Sequence, residues 1–392
     1  MKPFRVLFYK RDIPWPFRSG HDVHTFNMMR ALSDAGHHIG MITVHPLPPQ
    51  VRESLRLELH HTLQPDDGGE SSTVRLPALQ ERFRRFWGVS SKHLETVQKL
   101  STDFAADAFV VSGLEVLPVL AAVRGPVRIW YAADEWVLHH LSQVRLTDVQ
   151  SWRSVADAAL KGAYERVFCK AVDRAWAVSD IDAWAFKRFA GMPGVDIIPN
   201  GVDLNRYPPS TAVEEPFTAV FWGRLDFGPN IQGLQWFCER VWPLVRERHP
   251  QARFTIIGFQ PGDEVRRLAT APGVTLCADL PDIQTVVQSH AVVALPFTSG
   301  TGIKNKLLEA AAMGKAIVCT PTALTGLSGV PPFVGLKKPM AWVDELSVLW
   351  KDDAERRRRG LAAREWVAAH HTWAAAARQA EAGIAAGLAK RR

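Results

Sequence analysis

The run Ser299-Gly300-Thr301-Gly302-Ile303-Lys304-Asn305-Lys306-Leu307-Leu308-Glu309 combines two glycines, two lysines and a carboxylate at spacings suited to a phosphorylated ligand. It follows the apolar run 291–297 and leads into helically spaced apolar residues up to Met313, so it reads as strand, loop and helix. In an open α/β sheet, ligands gather at the carboxyl ends of strands, where free N–H groups and the helix dipole attract phosphate. Gly300 and Gly302 let backbone approach a ligand closely. Lys304 and Lys306 put positive charge where it opposes the helix dipole, an arrangement that makes sense with an anion between them. Glu309, set beside Leu308 and three alanines, is placed to accept hydrogen bonds from a ribose diol. The competing reading is an ordinary strand–loop–helix joint.

Two further stretches carry chemistry. In 221–230, Gly223-Arg224-Leu225 ends a strand, so the Arg224 guanidinium, a bidentate phosphate binder, projects from a carboxyl end. In 14–24, Arg18-Ser19-Gly20 forms a loop between a strand and a helix that contains His24, a second phosphate-approach loop in the other half of the chain.

The elements that must position these residues alternate throughout. Strand-like runs fall at 5–9, 39–44, 108–111, 127–131, 174–178 and 196–198, then at 218–222, 253–257, 274–277, 291–295 and 316–319. Most are continuously apolar, as strands covered on both faces of a parallel sheet are. Helical patterns between them imply two doubly wound sheets of about five or six strands each. The turn-rich segment 199–209 marks the boundary. A first domain of 1–198 and a second of 199–372 follow, with the Ala-rich helix near 373–392 packing back on the first.

The bulk composition narrows the class. With 47% hydrophobic and 22% charged residues, the 392-residue chain is globular rather than disordered. No apolar run reaches the roughly 18–20 residues of a spanning helix, and the start, soon charged at Lys10-Arg11-Asp12, does not read as a secretory signal, so a cytoplasmic protein is expected. The four cysteines stand far apart and no histidine pair has metal-ligand spacing, so neither disulfides nor a metal is expected. The net charge of +7 favours an anionic partner. The segment 81–87, Glu-Arg-Phe-Arg-Arg-Phe-Trp, reads either as a solvated helix face or as a patch for a membrane surface or acceptor.

The run 300–315, Gly223-Arg224-Leu225, the segment 199–203, Ser19-Gly20 and Ala35-Gly36-His37-His38 together resemble the family 4 retaining glycosyltransferases of GT-B fold, in the expected order over nearly the whole chain. The G-T-G-I-K-N-K form is similar to bacterial polysaccharide and exopolysaccharide sugar transferases. This resemblance implies two Rossmann-like domains facing a cleft. The second would hold a nucleoside-diphosphate sugar and the first the acceptor: a glycan, a lipid-linked glycan, a protein or a small molecule, but not nucleic acid. It implies a donor set of Ser19, Gly20, Gly223, Arg224, Gly300, Thr301, Gly302, Ile303, Lys304, Lys306 and Glu309. Arg224 and Lys306 would serve the reaction directly. Glu309 would match the second glutamate of the family's E-x7-E motif, while Thr301 stands in the place of the first. Asn230 stands where the family often carries a lysine, for which Lys304 or Lys306 compensates. No histidine stands in 131–135, where the family places one; Asp134 is the substitute catalytic and acceptor residue, with His139 and His24 as further acceptor contacts.

The implied activity is transfer of a sugar to an acceptor hydroxyl with retention, by same-face attack without metal or cofactor, in glycan or glycoconjugate synthesis. Association with the inner face of the cytoplasmic membrane through 81–87 would accompany it. The rivals are a sugar-nucleotide epimerase on the same fold and a non-catalytic nucleotide-sugar-binding subunit.

Overall fold

A computed structural model describes residues 2–17, 19–64, 74–86, 88–132, 136–141, 152–192, 194–209, 213–280, 282–300 and 302–391. The chain divides into two compact units, Met1–Pro199 with Trp373–Arg392, and Asn200–Thr372.

The first unit is built on a parallel sheet in the order β3-β2-β1-β4-β5-β6-β7. Its strands are β1 (Arg5–Tyr9), β2 (His38–Thr43), β3 (Leu57–Thr62), β4 (Ala108–Ser112), β5 (Val127–Tyr131), β6 (Arg174–Ala177) and β7 (Val195–Ile197). β1 and β4 are almost wholly buried, as unbroken apolar runs demand when helices cover both faces. The order reverses between β1 and β4, where Tyr9 pairs with Val111, so Lys10 and Ser112 leave the sheet side by side.

The helix Gly20–Asp34 follows β1. Ser19 caps it by accepting from the Asp22 N–H, and Asp22 in turn accepts from the Ser19 N–H, a reciprocal box. The helix Trp373–Ala389 also belongs to this unit. It buries Trp373, Ala376, Ala377, Ala380, Gly383, Ile384 and Gly387, a stripe at helical spacing. A methyl at Gly383 would collide with the Asp196 carboxylate, and one at Gly387 with Val127, so both glycines set the depth of this packing.

The second unit has a parallel five-stranded sheet in the order β10-β9-β8-β11-β12. The strands are β8 (Glu215–Arg224), β9 (Arg253–Phe259), β10 (Val274–Ala278), β11 (His290–Leu295) and β12 (Ala316–Cys319). The reversal falls between β8 and β11, with Val220 opposite Val293.

Two expectations need correction. The first sheet has seven strands, because Leu57–Thr62 joins its edge. Its sequence, Leu-Glu-Leu-His-His-Thr, is only partly buried and lacks the apolar run by which the others were found. The basic-aromatic patch at 81–87 is partly turned inward. In the helix Ala78–Phe86, the Phe83 ring packs 5.3 Å from Tyr164, and Arg84 is 5% exposed and bonded to Glu81 and the Val89 carbonyl. Glu81 also pairs with Arg85, and these guanidiniums hold its carboxyl down to about 2. Trp87 lies outside the described residues. Among the described residues, no helix is long and apolar enough to cross a membrane.

Candidate functional site

The second unit concentrates its chemistry at the β8/β11 reversal. Two helices begin there, Gly228–Trp236 after β8 and Asn305–Ala312 after β11, and neither has a side-chain cap. Helices at Ser90, Ser179, Asp282 and Asp352 are capped by side chains, which fill the free N–H groups of a first turn. At these two starts no side chain fills the first turn. The Asn230 and Leu307 N–H groups bond back to the Phe227 and Lys304 carbonyls, and the remaining donors can meet an anion. The loops are tied together. Ser299 Oγ donates to Gln232 Oε1 at 2.8 Å, and a methyl at Gly233 would lie 2.7 Å from the Pro296 carbonyl oxygen, so only glycine lets helix and loop approach.

Three cations surround this point. Arg224 closes β8 with its side chain 59% exposed, held by a two-point bond to Asp226 at 3.0 and 2.7 Å. Lys304 Nζ folds over its own loop, donating to the Gly300 carbonyl at 2.9 Å and the Gly302 carbonyl at 2.5 Å. Lys306 lies against Gly223, where a methyl would overlap its side chain and sit 3.0 Å from Asn230 Nδ2. Gly223 also has φ +154°, so the close approach and the backbone both call for glycine. Asn230 is 2% exposed and donates to the Arg224 carbonyl at 2.7 Å. It therefore fixes the backbone that carries the guanidinium rather than replacing a cation. Gly300, at φ +98°, makes the turn of the loop, and Ile303 packs against the unit's core.

Glu309 lies at the centre of the interior side. Trp222 Nε1 donates to its Oε2 at 3.1 Å, and the Tyr207 hydroxyl is a second partner. Burial pushes its carboxyl above the usual range, against the pull of Lys306, Trp222 and Arg206. Burial likewise lowers Lys306, and Glu309 opposes that shift. Trp222 and Tyr207 were not singled out in the sequence. Nothing in their spacing marks them, since strand register and the 199–209 turn bring them to Glu309. Asn200, from that same turn, donates to Asn305 Oδ1 at 2.7 Å at the start of the helix Asn305–Ala312.

In the first unit, Ser19 and Gly20 form the start of the helix after β1, and the Ser19 hydroxyl is engaged by Asp22 at 2.8 Å. His24 corrects an expectation: it is 2% exposed, its ring 5.1 Å from Tyr131 and 4.9 Å from Trp373, and burial lowers its pKa to about 3. An acceptor cannot touch it without opening the core. Asp134 and Thr301 lie outside the described residues, as does the side chain of His139 in the helix Trp136–Leu141. The β1/β4 reversal instead gathers a set the sequence did not suggest. Lys10 Nζ donates to Asp22 Oδ1 at 2.7 Å, and Ser112 contacts both His21 and Thr25. The His21 ring stands 6.1 Å from that of Tyr131. Among the described residues, no three His, Cys, Asp or Glu side chains gather as metal ligands.

Two parallel α/β units, on sheets of seven and five strands, fit the two-Rossmann-domain GT-B architecture. The description "Glycosyltransferase Family 4" matches residues 18–206, and "Glycosyl transferases group 1" matches residues 216–352. The chain belongs to the family 4 glycosyltransferases. No curated protein sequence matches it. Solved structures agree in fold at low identity. HepE from Anabaena, in complex with UDP and glucose, is 14% identical with TM-score 0.63, over 97% of this chain and 99% of its own. A TarM mutant from S. aureus, in complex with Fondaparinux, alpha-GlcNAc-glycerol and UDP, is 9% identical with TM-score 0.63, over 97% and 99%. WaaG, a glycosyltransferase involved in lipopolysaccharide biosynthesis, is 15% identical with TM-score 0.59, over 96% and 98%.

Proposed function

We propose that the protein transfers a sugar from a nucleoside diphosphate to an acceptor hydroxyl with retained anomeric configuration, in glycan or glycoconjugate synthesis. The observation that carries the donor reading is the meeting of two uncapped helix starts with Arg224, Lys304 and Lys306 at the β8/β11 reversal. Backbone N–H groups and fixed cations there bind the diphosphate and stabilise its charge as it leaves. Glu309, oriented by Trp222 and Tyr207, receives the ribose hydroxyls.

Three fixed cations also support a metal-independent reaction, because they supply the charge a bound divalent ion otherwise provides. Thr301, where a carboxylate is usual, favours same-face attack assisted by the departing diphosphate over a covalent intermediate. The acceptor is a glycan, a lipid-linked glycan, a protein or a small molecule presented by the first unit. Contact with an anionic membrane face is supported by Leu79, Arg82 and Arg85, which remain exposed on the helix Ala78–Phe86. Salt-sensitive co-sedimentation with anionic vesicles tests that contact, and its absence removes it.

A thermal-shift panel of UDP-, GDP-, dTDP- and ADP-sugars tests the donor reading. UDP-sugars head it because the HepE and TarM structures carry UDP. At least one stabilises the protein, and turnover of that donor, with the product's anomer read by NMR, persists in EDTA. Stabilisation without turnover identifies a binding subunit instead, and loss of turnover in EDTA refutes metal independence.

A further inference from the structure

The first unit contains a chain of hydroxyls ending on an imidazole, and the count of its protons fixes one atom's role. Thr25 Oγ1 donates its single proton to the His21 carbonyl oxygen at 2.9 Å. In its 2.7 Å contact with Ser112 it therefore accepts, and Ser112 donates. The Ser112 proton is then spent, so in the 2.9 Å contact with His21 Nε2 the serine oxygen accepts and Nε2 carries the hydrogen. A neutral imidazole with its hydrogen on Nε2 presents a bare lone pair at Nδ1.

Neutrality is enforced from two sides. Burial and the neighbouring Lys10 ammonium lower the His21 pKa to about 3, outweighing the attraction of Asp22. Thr25 and Ser112 are fully buried, so the chain is rigid, and Lys10 and Asp22 are locked to each other at 2.7 Å. Nδ1 itself makes no hydrogen bond among the described residues and is not among the atoms sealed from solvent. Further polar groups stand at or just beyond the ends of β4 and β5. The Glu115 carboxylate lies so close to Gly113 that a methyl there would sit 3.0 Å from both oxygens. The Tyr131 hydroxyl is buried without a partner among the described residues. A fixed lone pair at the carboxyl ends of β1 and β4 suits a hydroxyl of a polyol.

We infer that His21 Nδ1 accepts a hydrogen bond from a hydroxyl of the sugar acceptor, with Ser112 and Thr25 as the positioning residues that hold its tautomer. This rests on the proposed reading of the first unit as the acceptor side, and it places that contact after β1 rather than after β5. Because the ring stays neutral, its part is to bind and orient the hydroxyl, not to carry the proton away.

The test is long-range 1H–15N NMR of the full chain labelled at histidine, with His21 assigned by its loss in His21→Gln. The expected spectrum shows Nε2–H with unprotonated Nδ1 at neutral pH. Ser112→Ala introduces a population with the hydrogen on Nδ1. Methyl glycosides of glucose, galactose, mannose and N-acetylglucosamine serve as hydroxyl probes. At least one shifts the Nδ1 resonance, and His21→Gln weakens it by roughly three- to tenfold, the worth of one neutral hydrogen bond. A hydrogen on Nδ1, an imidazolium at neutral pH, or an Nδ1 resonance unmoved by every probe overturns the inference. Failure of the donor panel would instead refute the transferase reading, and the tautomer spectrum is independent of it.

Discussion

At the scale of single residues, Arg224, Gly223 and Glu309 give the sharpest expectations. Arg224 is exposed and, among the described residues, paired only with Asp226, two residues on, and such exposed pairs contribute about 0–1 kcal/mol. On the proposed donor reading, a diphosphate displaces Asp226 at little cost. Arg224→Ala lowers kcat/KM for the donor by about ten- to a hundredfold, the loss of a charge-assisted bond, whereas Asp226→Asn changes it by less than about fivefold. Equal losses in steady-state kinetics would assign the effect to the pair and not to the guanidinium. Gly223→Ala forces the Lys306 side chain and the Asn230 amide aside at a strained backbone position. It costs about 1–3 kcal/mol and weakens nucleotide binding in calorimetry. Glu309→Gln keeps the shape and the Trp222 bond but removes the charge facing Lys306. It lowers donor turnover while leaving the unfolding midpoint near wild type, and an unchanged rate would count against the ribose contact.

At the scale of elements, the helix Trp373–Ala389 is the clearest case of packing set by small residues. Gly387 faces Val127 on β5 and Gly383 faces Asp196, itself paired with Arg174. Gly387→Val lifts the helix from the strands and lowers stability by about 1–3 kcal/mol, as overpacking does. Urea unfolding checks this, and a wild-type midpoint would show that the helix shifts freely. The helix Asn305–Ala312 offers the opposite case, since its half-buried first turn carries no side-chain cap and is the proposed donor contact. Adding a cap with Lys304→Asp stabilises the isolated helix by about 1 kcal/mol. It also places an anion where the diphosphate sits and weakens donor binding. Stability and binding moving in opposite directions is the outcome that identifies a functional helix start.

At the scale of the whole molecule, buried neutral histidines shape the pH response. His21 and His24 have pKa values lowered from 6.5 to about 3. Between those values the unfolded chain binds more protons than the folded one, so stability falls as pH drops from about 6.5 toward 3. Each ring contributes a slope approaching about 1.4 kcal/mol per pH unit in that window. Urea midpoints measured at about pH 7 and about pH 5 should show this loss, and His24→Phe should reduce it. A flat profile would mean that the rings are not held neutral.

The apolar runs at β1, β4, β5, β8, β11 and β12 made the parallel sheets legible from sequence, because a strand buried on both faces must be continuously apolar. The strand–loop–helix joint at 291–312 was equally legible, because its apolar strand, glycines and helically spaced residues lie within one short segment. The edge strand Leu57–Thr62 was not, because its polar, half-buried residues are held by pairing to β2 rather than by burial. The partners of Glu309 and the true position of His24 were also beyond the sequence. Trp222, Tyr207 and Glu309 come from three separate segments, and His24 is hidden by Tyr131 and Trp373 from distant parts of the chain. Local spacing determines which groups share a loop. Only the sheet order, through the strand reversals it creates, decides which loops meet and which histidine keeps a lone pair for a ligand.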